Sequence, residues 1–386
     1  MVKMMENELG WKNYVAIREH LVEKDLLLEE TSDYWSEESS SIEYMLNATP
    51  EIISRIRDHT HWLTGVRSYD YKKHHQHREE LFVSKYRRLR DLSKDLDFFG
   101  ETGILGDFGF EIDGQLVNLD TLKYFESIVS LSLTGELDRL INYEKPVILE
   151  IGAGWGGLLA MVKNYITNSQ LVVVDLPFSL LFSATYLPTA FPHASVGFFG
   201  SSDFTGNEDL LFLTPTQFRD WKPRNINLAI NTVSFQEMTS HQIKEYASQL
   251  LSKSCSVLYS HNMSVSPNNK ISESVEECLS TWPYQFEVEV LPIDYTRLKY
   301  QNDSEFELDI KNRNVVIYFI LKFFQKFLNR LGLRIQKRLL KYFTYLARPE
   351  LCVFLFPKIS HRSNSVHSSR YKHIFFYSNL EFSFLK

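Results

Sequence analysis

The stretch Pro146-Val-Ile-Leu-Glu-Ile-Gly-Ala-Gly-Trp-Gly-Gly157 joins a short apolar run to a glycine-rich turn. An apolar pattern with helical spacing follows it, through Leu158, Val162 and Ile166. Glycines between a strand and a helix let the backbone approach a ligand closely and expose N–H groups at the helix start. The stretch therefore predicts a strand, a ligand-binding turn and a helix, in that order.

A carboxylate follows the next apolar run of the chain. Asp175 comes directly after Leu171-Val-Val-Val174 and lies 21 residues beyond Gly154. An acid at the end of the second strand of such a unit accepts hydrogen bonds from ribose hydroxyls. Asp175 therefore indicates a cofactor that contains a ribose.

The glycines fit two kinds of cofactor. Gly152, Gly154 and Gly157 match the dinucleotide pattern G-x-G-x-x-G, whereas Gly152, Gly154 and Gly156 match the G-x-G-x-G pattern of S-adenosylmethionine (AdoMet) enzymes. Glu150, two residues before the first glycine, would attract the ammonium and sulfonium groups of AdoMet and repel a pyrophosphate. Charge thus favours AdoMet, with these cofactor-binding candidates: Glu150, Gly152, Ala153, Gly154, Gly156, Asp175 and Asn231.

Strand and helix patterns alternate over residues 145–300, which predicts a doubly wound α/β domain with a parallel sheet. We expect three regions. Residues 1–142 form a mainly helical cap or substrate region with a hairpin near 108–119 and a helix over 120–142. Residues 143–310 form the Rossmann-like cofactor domain. Residues 311–386 form a basic amphipathic helix and the final strand, 371–377.

Polar side chains follow two later strand candidates. Asn231-Thr-Val-Ser-Phe-Gln-Glu-Met238 comes after the strand at 226–230, and Tyr259-Ser-His-Asn262 ends the strand at 256–259. Ligands of open α/β sheets bind beyond the carboxyl ends of the strands. We therefore expect both clusters to face the reactive end of the cofactor, and Thr214 to lie nearby.

The chain resembles the sugar O-methyltransferases of bacterial surface-polysaccharide gene clusters, a family within the class I AdoMet-dependent methyltransferases. Besides the glycine stretch, the matching segments cover roughly residues 100–300. They are Gly109-Phe-Glu-Ile-Asp-Gly114, Val174-Asp-Leu-Pro177, Phe212-Leu-Thr-Pro215, Ser234-Phe-Gln-Glu-Met238 and Tyr259-Ser-His-Asn262. The resemblance implies a class I sheet with an antiparallel final strand, a helical N-terminal region over the active site, and methyl transfer to a sugar hydroxyl.

A sugar hydroxyl is a weak nucleophile, so a base should accept its proton as the new bond forms. Glu237 and His261 are the candidates for that base. Each also has a structural interpretation, as a carboxylate at a helix start and as a buried histidine at a strand end. Gln236 and Asn262 would orient the sugar or the methionine part of the cofactor.

No pattern demands a metal, although the resemblance leaves room for a divalent ion, which some sugar methyltransferases use to ionise the acceptor hydroxyl. The histidines of Lys72-Lys-His-His-Gln-His77 lack an acid at ligand spacing, which favours a solvated helix face. Three cysteines are too few for a disulfide framework, and no signal peptide or uncharged apolar span is apparent, so we expect a cytoplasmic protein.

Charge is uneven along the chain. Residues 1–140 carry 17 Lys and Arg against 27 Asp and Glu, which argues against nucleic acid as a partner. Residues 311–349 carry ten Lys and Arg and no acid. Within them, the basic segment (residues 315–346) places cations opposite a Phe/Leu stripe. Such a helix lies on an anionic membrane surface or docks on the α/β domain with its charges in water.

Two other functions compete with methyl transfer. An NAD-dependent sugar epimerase or dehydrogenase would need a Tyr-x-x-x-Lys pair after the fourth strand, and residues 237–246 lack one. A non-catalytic nucleotide-fold scaffold of a glycan-assembly complex would bind a cofactor without turnover, or not at all.

Overall fold

A computed structural model of the chain describes residues 2–27, 31–72, 76–223, 225–264, 273–288 and 371–378. All of these fall in one compact unit, Met1–Ile293 with Val366–Lys386. The predicted basic amphipathic helix lies outside the described residues.

The first hundred residues are mainly helical. Helix α1 packs against a helix of the sheet domain, α10 (Pro177–Ala190). The other N-terminal helices are short apart from α6, and two of them are 3-10 turns. In order, the elements are α1 (Val2–Glu23), α2 (Asp33–Ser40), a 3-10 turn (Glu43–Asn47), α3 (Pro50–Ile53), α4 (Ile56–His59), α5 (His61–Thr64), a 3-10 turn (Ser68–Tyr71) and α6 (Gln76–Leu92).

The predicted hairpin is present as β1 (Phe110–Ile112) and β2 (Gln115–Val117). Its turn residues Asp113 and Gly114 both have positive φ, as the tight primed turn requires. The helix expected over 120–142 is instead two helices, α7 (Leu119–Leu133) and α8 (Glu136–Ile141). Gly135, with φ 77°, separates them, because a left-handed residue interrupts the helical hydrogen-bond ladder.

One eight-stranded sheet forms the centre of the fold, in the order β5-β6-β4-β3-β7-β8-β10-β9. Its last strand in sequence, β10, runs antiparallel between β8 and β9, as the family resemblance implies. The strand order reverses between β3 and β7, the switch point where open α/β sheets bind ligands. The strands are β3 (Val147–Ile151), β4 (Gln170–Val174), β5 (Val196–Phe198), β6 (Leu210–Leu213), β7 (Leu228–Thr232), β8 (Val257–Met263), β9 (Tyr284–Val288) and β10 (Tyr371–Tyr377).

Helices cover both faces of this sheet, so the predicted Rossmann-like α/β fold is confirmed. Strands β4, β6 and β7 are buried along their whole length, which explains why apolar residues predominate in them. The helices of this part are α9 (Gly157–Tyr165), α10, α11 (Pro215–Asp220), a 3-10 turn (Phe235–Glu237), α12 (Ser240–Ser252) and α13 (Val275–Cys278).

The strand that the sequence predicts at this position is shorter than β8. A strand over 256–259 was expected, but β8 continues to Met263 because Ser260, His261 and Asn262 pair with β7 on one side or β10 on the other. His261 and Asn262 therefore lie inside a central strand and do not follow its end. The short edge strand β5 and helix α11 were not predicted, since neither has a long apolar pattern.

Candidate functional site

The glycine loop follows β3 with a left-handed backbone. Gly152, Gly154 and Gly156 have φ values of 72°, 58° and 86°, a region that other residues rarely adopt. A Cβ atom on Gly152 would lie only 2.0 Å from the Ser234 hydroxyl. The loop therefore requires glycine at this position, and it approaches the segment after β7 so closely that only a hydrogen fits between them.

Glu150, near the end of β3, is a buried carboxyl group with one unsatisfied oxygen. Its side chain is 1% exposed, and Oε1 accepts a hydrogen bond from the Thr232 hydroxyl at 3.2 Å. Among the residues that the structure describes, none donates a hydrogen bond to Oε2. Burial raises the pKa of Glu150 to about 8, and the nearby Asp175 adds to the shift. An unpaired buried carboxyl oxygen is costly, and a cationic ligand beside it would remove that cost.

Asp175 fastens the glycine loop to the end of β4. Its Oδ2 accepts the Gly154 N–H at 2.7 Å, and its Oδ1 accepts the Leu176 N–H at 2.7 Å. Burial raises the pKa of this carboxyl group to about 7 despite both hydrogen bonds. Each carboxylate oxygen has a second lone pair, so the arrangement permits the predicted contact with ribose hydroxyls, which stays a prediction.

The loop is also held by residues that the sequence did not reveal. The indole of Trp155 donates to Asp120 Oδ2 at 3.3 Å, and the guanidinium of Arg57 lies 3.5 Å from the centre of its ring. Arg57 is completely buried and pairs with Glu101. Such a desolvated cation stacked on an indole is expected to fix the shape of the loop. No sequence motif announces this contact, because it joins residues about a hundred positions apart.

The segment after β7 is positioned by Asn231, which is fully buried. Its Nδ2 donates to the Ile151 carbonyl at 2.8 Å, and its Oδ1 accepts the Phe235 N–H at 2.8 Å. Val233, which lies between Asn231 and Phe235 in the sequence, has a φ of 57°, an outlier for a β-branched residue. Such strain persists only where surrounding contacts impose it, and it is concentrated at functional sites.

Glu237 lies at the end of the 3-10 turn that follows, half-buried under the N-terminal helices. The hydroxyl of Ser32, just before α2, donates to the Glu237 carbonyl at 2.8 Å, and Trp35 of α2 hydrogen-bonds the side chain. Burial raises the pKa of Glu237 to about 8, with the positive charge of Lys123 opposing the shift. The carboxyl group is therefore tuned to a range in which it exchanges a proton near neutral pH.

His261 occupies a different environment, fully enclosed within β8. Its ring stacks on that of His373 of β10, with 4.0 Å between centroids, and Nδ1 lies 3.5 Å from the Ser127 hydroxyl. Burial and His373 hold the pKa of His261 well below its usual range. An imidazole with no solvent exposure is poorly placed to meet an acceptor hydroxyl.

Gln236 and Asn262 hold the segment to β8. Gln236 Oε1 accepts the Met263 N–H at 2.8 Å, and Asn262 Nδ2 donates to Asn231 Oδ1 at 2.9 Å. Thr214 caps α11 by accepting the Gln217 N–H, a local role that its sequence position before Pro215 explains. The structure thus gathers Glu150, Asp175, Asn231 and Ser234 around the glycine loop, with Gln236 and Asn262 in the hydrogen-bond network behind them.

Comparison with known proteins shows no match to a protein family profile and no match to a curated protein. Solved structures with similar chain traces include the magnesium protoporphyrin IX methyltransferase ChlM from Synechocystis PCC 6803 with bound SAH, at 11% identity and a TM-score of 0.26 over 47% of this chain and 68% of that one. Phosphoethanolamine N-methyltransferase 2 of Haemonchus contortus, in complex with S-adenosyl-L-methionine, is 12% identical, with a TM-score of 0.30 over 64% of this chain and 51% of that one. WbdD with the kinase inhibitor LY294002 is 14% identical, with a TM-score of 0.33 over 54% of this chain and 44% of that one.

This chain therefore spans about half of the length of each of the last two proteins. At these identities and TM-scores, none of the likenesses assigns a function to it. Among the described residues, no helix is both long and apolar enough to cross a membrane.

Proposed function

We propose that the chain is an AdoMet-dependent O-methyltransferase that acts on a sugar hydroxyl in the biosynthesis of a surface glycan such as a capsule or O-antigen. The observation that carries this proposal is the unsatisfied Oε2 of Glu150 beneath a left-handed glycine loop. A buried carboxyl group in that place suits a cation and opposes a pyrophosphate. The methyltransferases ChlM and phosphoethanolamine N-methyltransferase 2 were solved with SAH and S-adenosyl-L-methionine, respectively.

The residues of the loop fit AdoMet by their donor set. Glu150 would neutralise its positive charge, Asp175 would accept its ribose hydroxyls, and the backbone from Gly152 to Gly156 would lie against it. When bound, AdoMet supplies an activated methyl group on sulfur with a neutral leaving group. The chain therefore has to orient the acceptor oxygen, exclude water and accept one proton.

Glu237 is our candidate for the group that accepts the proton. It lies in the segment after β7, at the same edge of the sheet as the glycine loop, and its raised pKa suits a general base at neutral pH. Trp35 of helix α2 and Ser32, just before that helix, cover it, which would exclude water from the acceptor. His261 is the less favourable candidate because it is completely buried in β8.

The sugar specificity rests on the family resemblance, above all on Ser234-Phe-Gln-Glu-Met238 together with Val174-Asp-Leu-Pro177. The test is a calorimetric titration of the full chain with AdoMet and with NAD, followed by a methyl-transfer assay on nucleotide sugars and on glycan fragments. We expect AdoMet to bind, NAD not to bind, and a sugar to be methylated. Binding of NAD alone would support a dehydrogenase or epimerase, and AdoMet binding without turnover on any acceptor would support the scaffold.

The base assignment has its own test. Glu237→Gln should lower the turnover number by about 10²–10⁴-fold, the usual contribution of a general base, while AdoMet affinity stays the same. His261→Gln is the comparison for the competing assignment. Full turnover of Glu237→Gln with a competent acceptor would contradict the role of Glu237.

A further inference from the structure

Three potential metal ligands from three elements meet on one face of the sheet. Glu126 of α7, His261 of β8 and His373 of β10 each offer a ligand atom, and these atoms all lie within 4.8 Å of one another. The three residues are 1%, 0% and 4% exposed. They are far apart in sequence, so no spacing pattern predicts the cluster, and the proposed methyl transfer does not use it.

We propose that Glu126, His261 and His373 bind a divalent transition-metal ion, Zn²⁺ by ligand type, which fixes β10 to β8 and α7. Two imidazoles and one carboxylate form a ligand set that zinc uses in proteins, with water as the fourth ligand. Zinc bonds of 2.0–2.2 Å in tetrahedral geometry place two donor atoms about 3.4 Å apart. Glu126 Oε1 lies 2.9 Å from His373 Nε2, and all three ligand atoms lie within 4.8 Å of one another, so the cluster has the size that such a site needs.

The surroundings of the cluster match those of a metal site. Nδ1 of His373 is 2.7 Å from the hydroxyl of Tyr259, a hydrogen bond that directs Nε2 of the same ring toward Glu126. Metal-binding histidines are commonly oriented in this way, by a hydrogen bond at the ring nitrogen that does not bind the metal. The hydroxyl of Ser127 lies beside His261 Nδ1.

A plain buried hydrogen bond explains only part of the arrangement. It accounts for Glu126 and His373, but it does not explain a second imidazole stacked 4.0 Å from the first in a site with almost no solvent exposure. A shared metal ion explains all three side chains together. It also has a physical benefit, because β10 joins the sheet only after a long intervening chain, and closing such a loop costs entropy. A metal bridge would offset that cost by holding β10 in the folded state.

The test is metal analysis of the full chain, expressed without a histidine tag in zinc-supplemented medium and dialysed against metal-free buffer. We expect about one zinc per chain, because three buried protein ligands form one site. Glu126→Gln and His373→Gln should lower the zinc content at least tenfold. Exposed His193 provides the matched control, and His193→Gln should keep the metal.

A further control changes His74, His75 and His77 together to Gln; it separates binding at the cluster from binding at these N-terminal histidines and should also keep the metal. Cobalt loading of the wild-type chain gives a readout that does not depend on how the variants fold. We expect visible d–d absorption bands of tetrahedral cobalt, together with a higher melting temperature than the metal-free chain. The proposal would be overturned if the wild-type chain takes up neither zinc nor cobalt. It would also be overturned if the metal is lost when His74, His75 and His77 are changed to Gln.

Discussion

Binding of AdoMet should release a proton from Glu150, and the size of that release can be worked out from the structure. Burial raises the pKa of this carboxyl group to about 8 from an ordinary value of 4.5. At pH 6.5 such a group is about 97% protonated. A cation placed against Oε2 favours the carboxylate and lowers the pKa again, so the proton has to leave as the ligand binds.

If the pKa in the complex returns to its ordinary value, about one proton is released at pH 6.5 and about a tenth of a proton at pH 9. Since the carboxylate is the form that binds the cation, affinity should rise with pH. The association constant should increase about 50-fold between pH 6 and pH 8 and only about twofold above that.

The assay is calorimetric titration with AdoMet in two buffers of different ionisation enthalpy, at several pH values, for the wild type and Glu150→Gln. The difference between the proteins isolates Glu150, because Asp175, Glu237 and the amino group of the cofactor titrate in both. We expect the variant to lose most of the proton release. Equal release in the two proteins, or an affinity that does not change between pH 6 and pH 8, would refute the assignment of a cation to Glu150.

Three further predictions concern the loop, its support and the basic segment. Gly152→Ala should abolish AdoMet binding, measured by calorimetry, because its Cβ would lie 2.0 Å from Ser234 Oγ, whereas Gly200→Ala, also at positive φ but with open space around it, should bind normally. Arg57→Met should lower the free energy of unfolding by about 3–5 kcal/mol in urea, as expected when one partner of a buried ion pair is removed, while the same change at exposed Arg55 should cost little. If the basic segment lies on membranes, the full chain should float with anionic liposomes and a variant with its Lys and Arg changed to Gln should not; equal flotation of the two would contradict the membrane interpretation.

Much of the fold could be read from local patterns. The strand, glycine turn and helix around residue 150 and the hairpin near 108–119 all appear in the structure, because each depends on neighbouring residues. The final strand 371–377 was also recognised, since its apolar residues form a clear run. Apolar runs and turn residues that are close together in the sequence therefore predicted most of the strands of the sheet.

The errors arose where partners distant in sequence decide the structure. The polar residues at the end of β8 interrupt the apolar run, yet pairing with β7 and β10 keeps them in the strand. The support of the glycine loop by Arg57 depends on a contact with Trp155, almost a hundred residues away. The interpretation that no pattern demands a metal stays a prediction; it rested on ligand spacing, which cannot reveal side chains that the fold brings together from α7, β8 and β10.

Helix α7 connects the two sites that we propose. Near its start, Asp120 accepts a hydrogen bond from Trp155 of the glycine loop and pairs with Lys123 at 3.3 Å. Burial raises the pKa of both Glu150 and Glu237, and the positive charge of Lys123 opposes that rise in each. One turn later, Glu126 faces His373. One continuous helix carries these residues. A metal ion that fixes the position of Glu126 would therefore also fix the position of Lys123 relative to the carboxyl groups of Glu150 and Glu237. Removal of the metal should then disturb the acceptor side of the site through the helix.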